Sequence, residues 1–106
     1  MSRSRPAHAR SVETRTVSRK TPGDGKLEIT KVAARTLESL GPTFSVRVDV
    51  RTGEASLGTM PCTCRGDETP HVHYFIESDL FRALVPGTSV ELLVDETDKR
   101  LHVIDT

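Results

Sequence analysis

The sequence has few of the features that mark membrane, secreted or large-core proteins. Among 106 residues it has no tryptophan, one tyrosine, three phenylalanines and only two cysteines. No apolar run approaches the roughly 18 residues of a transmembrane helix, so we exclude an integral membrane protein and expect no membrane partner. The first residues are polar and arginine-rich and lack the apolar segment of a secretory signal. Two cysteines cannot form a disulfide framework, so we expect a cytoplasmic protein in a reducing, intracellular environment.

The formal net charge is zero, but the charges are unevenly divided along the chain. Residues 1–26 carry seven basic and two acidic side chains, whereas residues 27–106 carry eight basic and thirteen acidic ones. The first segment is poor in large apolar residues and ends in the turn-forming sequence Pro22-Gly23-Asp24-Gly25. Such a segment buries too little apolar surface to offset its ordering entropy. The sequence therefore predicts a flexible, disordered basic arm over 1–26 and one folded domain over 27–106.

The folded part shows patterns typical of two β-hairpins and two short helices. Apolar and polar residues alternate over Phe44–Val50, which predicts a strand, and Thr52-Gly53 predicts the turn after it. Gly41-Pro42 is a helix-ending pair. His102 alternates with apolar neighbours and is expected to face solvent. The predicted elements are strands at 44–50, 54–60, 89–95 and 100–105 and helices at 31–40 and 78–84. The expected fold is a small, single-domain α+β protein built around a structural zinc site.

The zinc prediction comes from a cluster of both cysteines and two of the four histidines within twelve residues. The pattern is C-x-C-x6-H-x-H, and two thiolates with two imidazoles are a normal tetrahedral ligand set for Zn²⁺. The candidate ligands are Cys62, Cys64, His71 and His73.

Two local geometries can bring these ligands together. In the first, a hairpin places Cys62 opposite His73 and Cys64 opposite His71, with Cβ atoms about 4.5–5.5 Å apart. In the second, Thr69 caps a helix that begins at the following proline, so that His71 binds the metal from the first helical turn. The sequence leaves both geometries open.

The order of these features resembles the SWIM-type zinc finger over about residues 44–84. That family has C-x-C, a variable gap and then C-x-H, often with proline before the third ligand. Here Cys62 and Cys64 match the first pair, Pro70 precedes the second pair, and His73 matches the final histidine. At position 71 this chain has histidine where the family has cysteine. The resemblance implies a structural zinc and a role in binding nucleic acid or protein rather than in catalysis.

Together these features predict a non-enzymatic zinc-binding interaction module that contacts nucleic acid, or an acidic protein surface, through its basic arm. Arginine and lysine neutralise phosphates and release counterions, which gives affinity without reading base sequence. The alternative is a structural subunit or adaptor of a larger protein assembly with a purely structural zinc. A metal-dependent hydrolase ranks third, because Asp67 and Glu68 can act as a base but four ligands already close the site. The candidate nucleic-acid contacts are Arg3, Arg5, Arg10, Arg15, Arg19 and Lys20.

Overall fold

The chain folds as a seven-stranded sheet that curls into a nearly closed barrel. The computed structural model describes residues 8–61 and 72–106. The strands are β1 Arg10–Thr16, β2 Lys26–Ile29, β3 Thr43–Val48, β4 Arg51–Pro61, β5 Val72–Glu77, β6 Ser89–Asp95 and β7 Arg100–Asp105. The α-helices are α1 Thr21–Asp24 and α2 Lys31–Leu37, and 3₁₀ helices lie at Glu38–Leu40 and Asp79–Ala83.

The predicted α+β class is wrong, because 53% of the described residues lie in strands and 21% in helices. The strand order is β1-β6-β7-β3-β4-β5-β2. Both predicted hairpins are present, as the antiparallel pairs β3–β4 and β6–β7. Parallel pairing of β3 with β7 joins them into one sheet, and β1, β5 and β2 extend it at the two ends. Because the two hairpins share one sheet, the domain has a single barrel-like layer closed over its own core.

The core lies on the concave face of this sheet, where alternate strand residues point inward. Phe44 and Val46 on β3 are buried there, as are Leu101 and Val103 on β7. Helix α2 packs against β1 and β5 and adds three buried side chains, Ala33, Ala34 and Leu37. Together with the 3₁₀ helix that follows it, α2 confirms the helix predicted at 31–40.

Within the described residues, none of the helices is both long enough and apolar enough to cross a membrane.

The turn of the first hairpin lies three residues earlier than the sequence predicted. Val48 pairs with Arg51, so the loop is Asp49-Val50, and Asp49 has a positive φ of 59°. Aspartate tolerates this left-handed conformation better than most residues. Gly53 is instead a strand residue whose missing side chain makes room for Leu80, since a Cβ there would lie 3.1 Å from a Leu80 methyl carbon. The glycine thus serves packing rather than the turn.

The N-terminal segment differs from the flexible arm expected over residues 1–26. Residues 10–16 form β1, which pairs along β6, and Val17 and Thr21 are buried. The backbone of Val17 donates to the Thr88 carbonyl at 2.8 Å and accepts from the Gly87 amide at 2.9 Å. The cause is non-local, because an edge strand with few apolar side chains is ordered by the backbone groups of an apolar neighbour.

Candidate metal centre

The predicted zinc ligands centre on the hairpin formed by β4 and β5. The two strands pair from Ser56 with Glu77 through to Pro61 with Val72. The chain therefore leaves the sheet at Pro61 and re-enters it on the neighbouring strand at Val72. The connection carries three of the four predicted ligands in its sequence, and all three fall outside the described residues: Cys62, Cys64 and His71.

The fourth predicted ligand, His73, lies on β5 and is held by a carboxylate from the next strand. Its Nδ1 is 2.7 Å from Oε2 of Glu28, and the two side chains are 40% and 55% exposed. Strand β2 pairs with β5 so that Glu28 stands opposite Phe75, which makes His73 the diagonal neighbour of Glu28 on the same outer face. Nδ1 of His73 is thus oriented toward the Glu28 carboxylate.

This arrangement matches a recurring feature of histidine metal ligands. Such a histidine usually donates its other ring N–H to a carboxylate or a carbonyl, which fixes the tautomer and the ring orientation. When Nδ1 carries the proton donated to Glu28, the lone pair that can bind a metal is on Nε2. The pairing has the same form as the carboxylate–histidine part of such a site. Within the described residues, no three His, Cys, Asp or Glu side chains converge on a metal-sized position.

Neither predicted local geometry matches the structure at the described end of the motif. His73 pairs with Met60, not with Cys62, so the register differs by two residues from the predicted one. A helix beginning at Pro70 is also wrong for residues 72–77, because these form β5. The segment Val72–Glu77 is rich in β-branched and aromatic residues, which favour a strand, and its Ile76 is buried in the core.

A surface groove of about 290 Å³ lies beside His73. It lies at the open edge of the sheet, next to β2, and both Lys20 and Lys26 line it together with His73, Tyr74 and Phe75. We refer to it as the His73 groove. The Lys26 ammonium lies 4.8 Å from the centroid of the Phe75 ring, within cation–π range.

The floor of the His73 groove depends on a glycine. Phe75 is paired with Gly58 across the hairpin, and a Cβ at position 58 would lie 2.5 Å from the Phe75 Cζ atom. The distal atoms of the Phe75 ring therefore lie directly against the Gly58 backbone, and the Lys26 ammonium lies over the ring. This packing fixes both the position of the ring and the register of the hairpin that carries His73.

The predicted nucleic-acid contacts do not form one cluster. Arg10 is exposed and ion-paired with Glu96 at 3.2 Å, and Arg15 lies 3.5 Å from the Glu13 carboxylate. Arg19 and Lys20 are exposed beyond the other end of β1, a strand of seven residues and so about 20 Å long. Arg3 and Arg5 lie outside the described residues. Of the four candidates that the structure describes, only Lys20 lines the His73 groove.

Sequence reasoning missed one residue of this surface, Glu28, and the burial of His102 elsewhere on the sheet. Glu28 lies 45 positions before His73 along the chain, and only the pairing of β2 with β5 brings it close. His102 was expected to face solvent, but it is 8% exposed. Burial, followed by the nearby charge of Arg100, lowers the pKa of His102 below its usual value near 6.5. No local sequence signal reveals either feature, because both depend on strands that are distant in sequence.

Neither a known protein family nor a curated protein matches this chain. The resemblance to the SWIM-type zinc finger therefore stays a prediction.

Proposed function

We propose that this protein is a non-enzymatic interaction module whose β4–β5 hairpin is closed by a structural zinc ion. The ligands are Cys62, Cys64, His71 and His73. The observation that carries the proposal is the 2.7 Å contact between Nδ1 of His73 and the Glu28 carboxylate. This contact orients a half-exposed imidazole in the way that metal-binding proteins orient their histidine ligands. His73 also lies two residues after the segment that contains the other three candidate ligands.

The hairpin restricts the space in which those ligands can lie. The ten-residue connection starts and ends at residues paired across an antiparallel ladder, where Cα atoms are about 4.5–5.5 Å apart. Cys62 directly follows the last residue of β4, and His71 directly precedes the first residue of β5. Ligands that begin and end a closed loop need little extra ordering to reach one ion, so the metal mainly fixes the tip of the hairpin.

Two thiolates and two imidazoles complete a tetrahedral coordination, which leaves no position for a water nucleophile. For this reason we propose binding rather than catalysis. The partner that we propose is nucleic acid. Lys20 and Lys26 line the His73 groove together with the acids Asp24 and Glu28, and Arg19 is next to Lys20 in the sequence. Arg3 and Arg5 add two further charges in the same basic segment.

The zinc content of the purified protein tests the proposal. We expect one zinc per chain by elemental analysis, and loss of that zinc in the Cys62→Ser and His73→Ala variants. The Glu28→Gln variant should keep the fold but bind zinc about 10–100-fold more weakly, because it loses the carboxylate that orients His73. Glu54→Gln is the matched control. This exposed glutamate lies on the same face of the sheet as Glu28, but on β4, which does not pair with β2.

Two results would contradict the proposal. Absence of metal from protein prepared without chelator would show that the cluster is not a zinc site. Zinc at full stoichiometry in the His73→Ala variant would remove His73 from the ligand set. Equal zinc affinity of the Glu28→Gln and Glu54→Gln variants would show that the Glu28 contact does not serve the metal.

A subunit of a larger protein assembly is the second candidate, and an exposed valine beside a surface cavity of mixed polar and apolar lining favours it. A cavity of about 220 Å³ opens between the β3–β4 turn and the segment after β5, with Leu80, Leu84 and Val103 among its lining residues. Val85 at its rim is 61% exposed. This candidate predicts that the protein co-purifies with a protein partner and has no affinity for oligonucleotides.

A further inference from the structure

Phe75 is the one aromatic side chain of the sequence that lies on the outer face of the barrel. The chain has four aromatic rings, and all four belong to described residues. Phe44 and Phe81 are buried in the core, and Tyr74 packs against it. Phe75 alternates along β5 with Tyr74 and the buried Ile76, so its ring lies on the opposite face of the sheet. Packing of the core therefore does not account for an aromatic residue at this position.

The Phe75 ring is held in a fixed position at the border of the His73 groove. Its distal atoms lie against the backbone of Gly58, where a Cβ would be 2.5 Å from the Phe75 Cζ atom. The Lys26 ammonium, from β2, lies over the ring at 4.8 Å from its centroid. A ring that packing already holds in place loses little conformational entropy when a ligand stacks on it, whereas a lysine side chain is long and flexible. The groove thus combines a pre-positioned aromatic surface with a cation that can move aside.

The lysines and acids that line the groove balance each other, which limits what electrostatic attraction contributes there. Lys20 and Lys26 line the groove, and so do Asp24 and Glu28. A phosphate backbone gains affinity from an excess of basic groups, and these four side chains provide no such excess. A ligand of this groove must therefore gain affinity from another contact, and the Phe75 ring is a surface that provides one.

We propose that Phe75 is the stacking surface for an unpaired base of a single-stranded nucleic acid. The base takes the place of the Lys26 ammonium over the ring, and Lys26 pairs with the phosphate of the same nucleotide. Every base has an aromatic face, so this contact gives affinity without reading the base sequence. In a duplex those faces are stacked on neighbouring base pairs, so the ring selects single strands. The inference rests on the proposed nucleic-acid function and names the form of nucleic acid that the protein binds.

The experiment compares single-stranded with duplex DNA on the full chain. A labelled 20-base single strand of mixed sequence and the duplex of the same sequence are titrated by fluorescence anisotropy at several salt concentrations. We expect the single strand to bind at least about tenfold more tightly than the duplex. Phe75→Leu should weaken single-strand binding about tenfold, because leucine still packs on Gly58 but has no aromatic face. It should leave the slope of log affinity against log salt unchanged, whereas Lys26→Gln should lower that slope by about 1.

Two further variants give a direct signal and a control. The chain has no tryptophan, so Phe75→Trp places a single indole fluorophore at the proposed contact. We expect this variant to bind like wild type and its fluorescence to be quenched saturably by the single strand, and it decides the question even if Phe75→Leu does not fold. Val50→Ala is the control, because Val50 is 77% exposed in the β3–β4 turn and its truncation should change neither affinity nor slope. Far-UV circular dichroism shows whether each variant is folded.

Each contrary outcome has a distinct meaning. If single-stranded DNA binds and Phe75→Leu binds it like wild type, the stacking contact is refuted and the proposed function stands. The same conclusion holds if the duplex binds as tightly as the single strand, or if bound DNA leaves the tryptophan fluorescence unchanged. If the wild-type protein binds neither form of DNA, the nucleic-acid function fails, and this inference fails with it.

Discussion

Replacing Phe81 by alanine is expected to lower the free energy of unfolding by about 3–5 kcal/mol, the usual cost of deleting a buried phenylalanine ring. Phe81 is fully buried, and among the described residues it is the largest of the fully buried side chains. It lies in the 3₁₀ helix Asp79–Ala83, which packs against α1 and β4. The ring therefore joins the connection between β5 and β6 to the barrel core, and its removal leaves a cavity at that junction.

Urea unfolding followed by far-UV circular dichroism measures this loss through the shift of the midpoint at constant slope. Phe75→Ala is the chemically matched control, because the same ring is removed from a half-buried position on the outer face. We expect the Phe75 variant to lose about 1 kcal/mol, consistent with its partial exposure and its contact with Lys26. Equal losses in the two variants would mean that Phe81 does not belong to the core.

The sequence predicted those elements whose alternation of buried and exposed residues, or whose capping residue, is visible within a few neighbouring positions. Strand β3 alternates buried Phe44 and Val46 with outward Ser45 and Arg47. Helix α2 begins at a capping threonine, since the Ala33 amide donates to Oγ1 of Thr30 at 3.2 Å. Such signals lie within a few residues and need no knowledge of the rest of the chain.

Strand β1 shows why other elements escaped prediction. Its sequence, Arg-Ser-Val-Glu-Thr-Arg-Thr, has one apolar residue, Val12, which packs partly against the core. The strand exists because its backbone pairs with β6, whose Val90, Leu92 and Val94 are buried. A polar segment carries little local information about such pairing, since the hydrophobic contribution comes from its neighbour.

The candidate metal site was likewise predictable from the sequence only in part. The spacing of the cysteines and histidines predicted a metal site, whereas the hairpin register is explained by the packing of Phe75 on Gly58. The register of the predicted hairpin geometry, which differs by two residues, would place Phe75 opposite Met60 and its ring against a long side chain. The observed register places the ring over a glycine. The contact of Glu28 with His73 then follows from the pairing of β2 with β5, which no spacing rule contains.

Replacing Glu13 by alanine is expected to lower the free energy of unfolding by about 2 kcal/mol, because it removes hydrogen bonds to a charged acceptor at the seam of the barrel. Strands β1 and β2 are the two ends of the sheet order. The carboxylate of Glu13 on β1 joins them through Thr30, the residue directly after β2. It accepts hydrogen bonds from the Thr30 hydroxyl at 2.5 Å and from the Thr30 amide at 3.2 Å. Thr30 also caps α2, so the same carboxylate steadies the start of the helix that packs on the seam. Loss of Glu13 also leaves half-buried Arg15 without its 3.5 Å partner.

Urea unfolding again gives the magnitude, and hydrogen exchange of the β1 amides gives the location. Glu96→Ala is the matched control, because Glu96 is 54% exposed and pairs with exposed Arg10, so its loss should change stability by less than about 0.5 kcal/mol. In a double-mutant cycle, Glu13→Ala and Thr30→Val should be coupled by about 1 kcal/mol, since each removes one partner of the same bond. A loss at Glu13 no larger than at Glu96, with unchanged exchange in β1, would show that the seam is closed by packing of α2 alone.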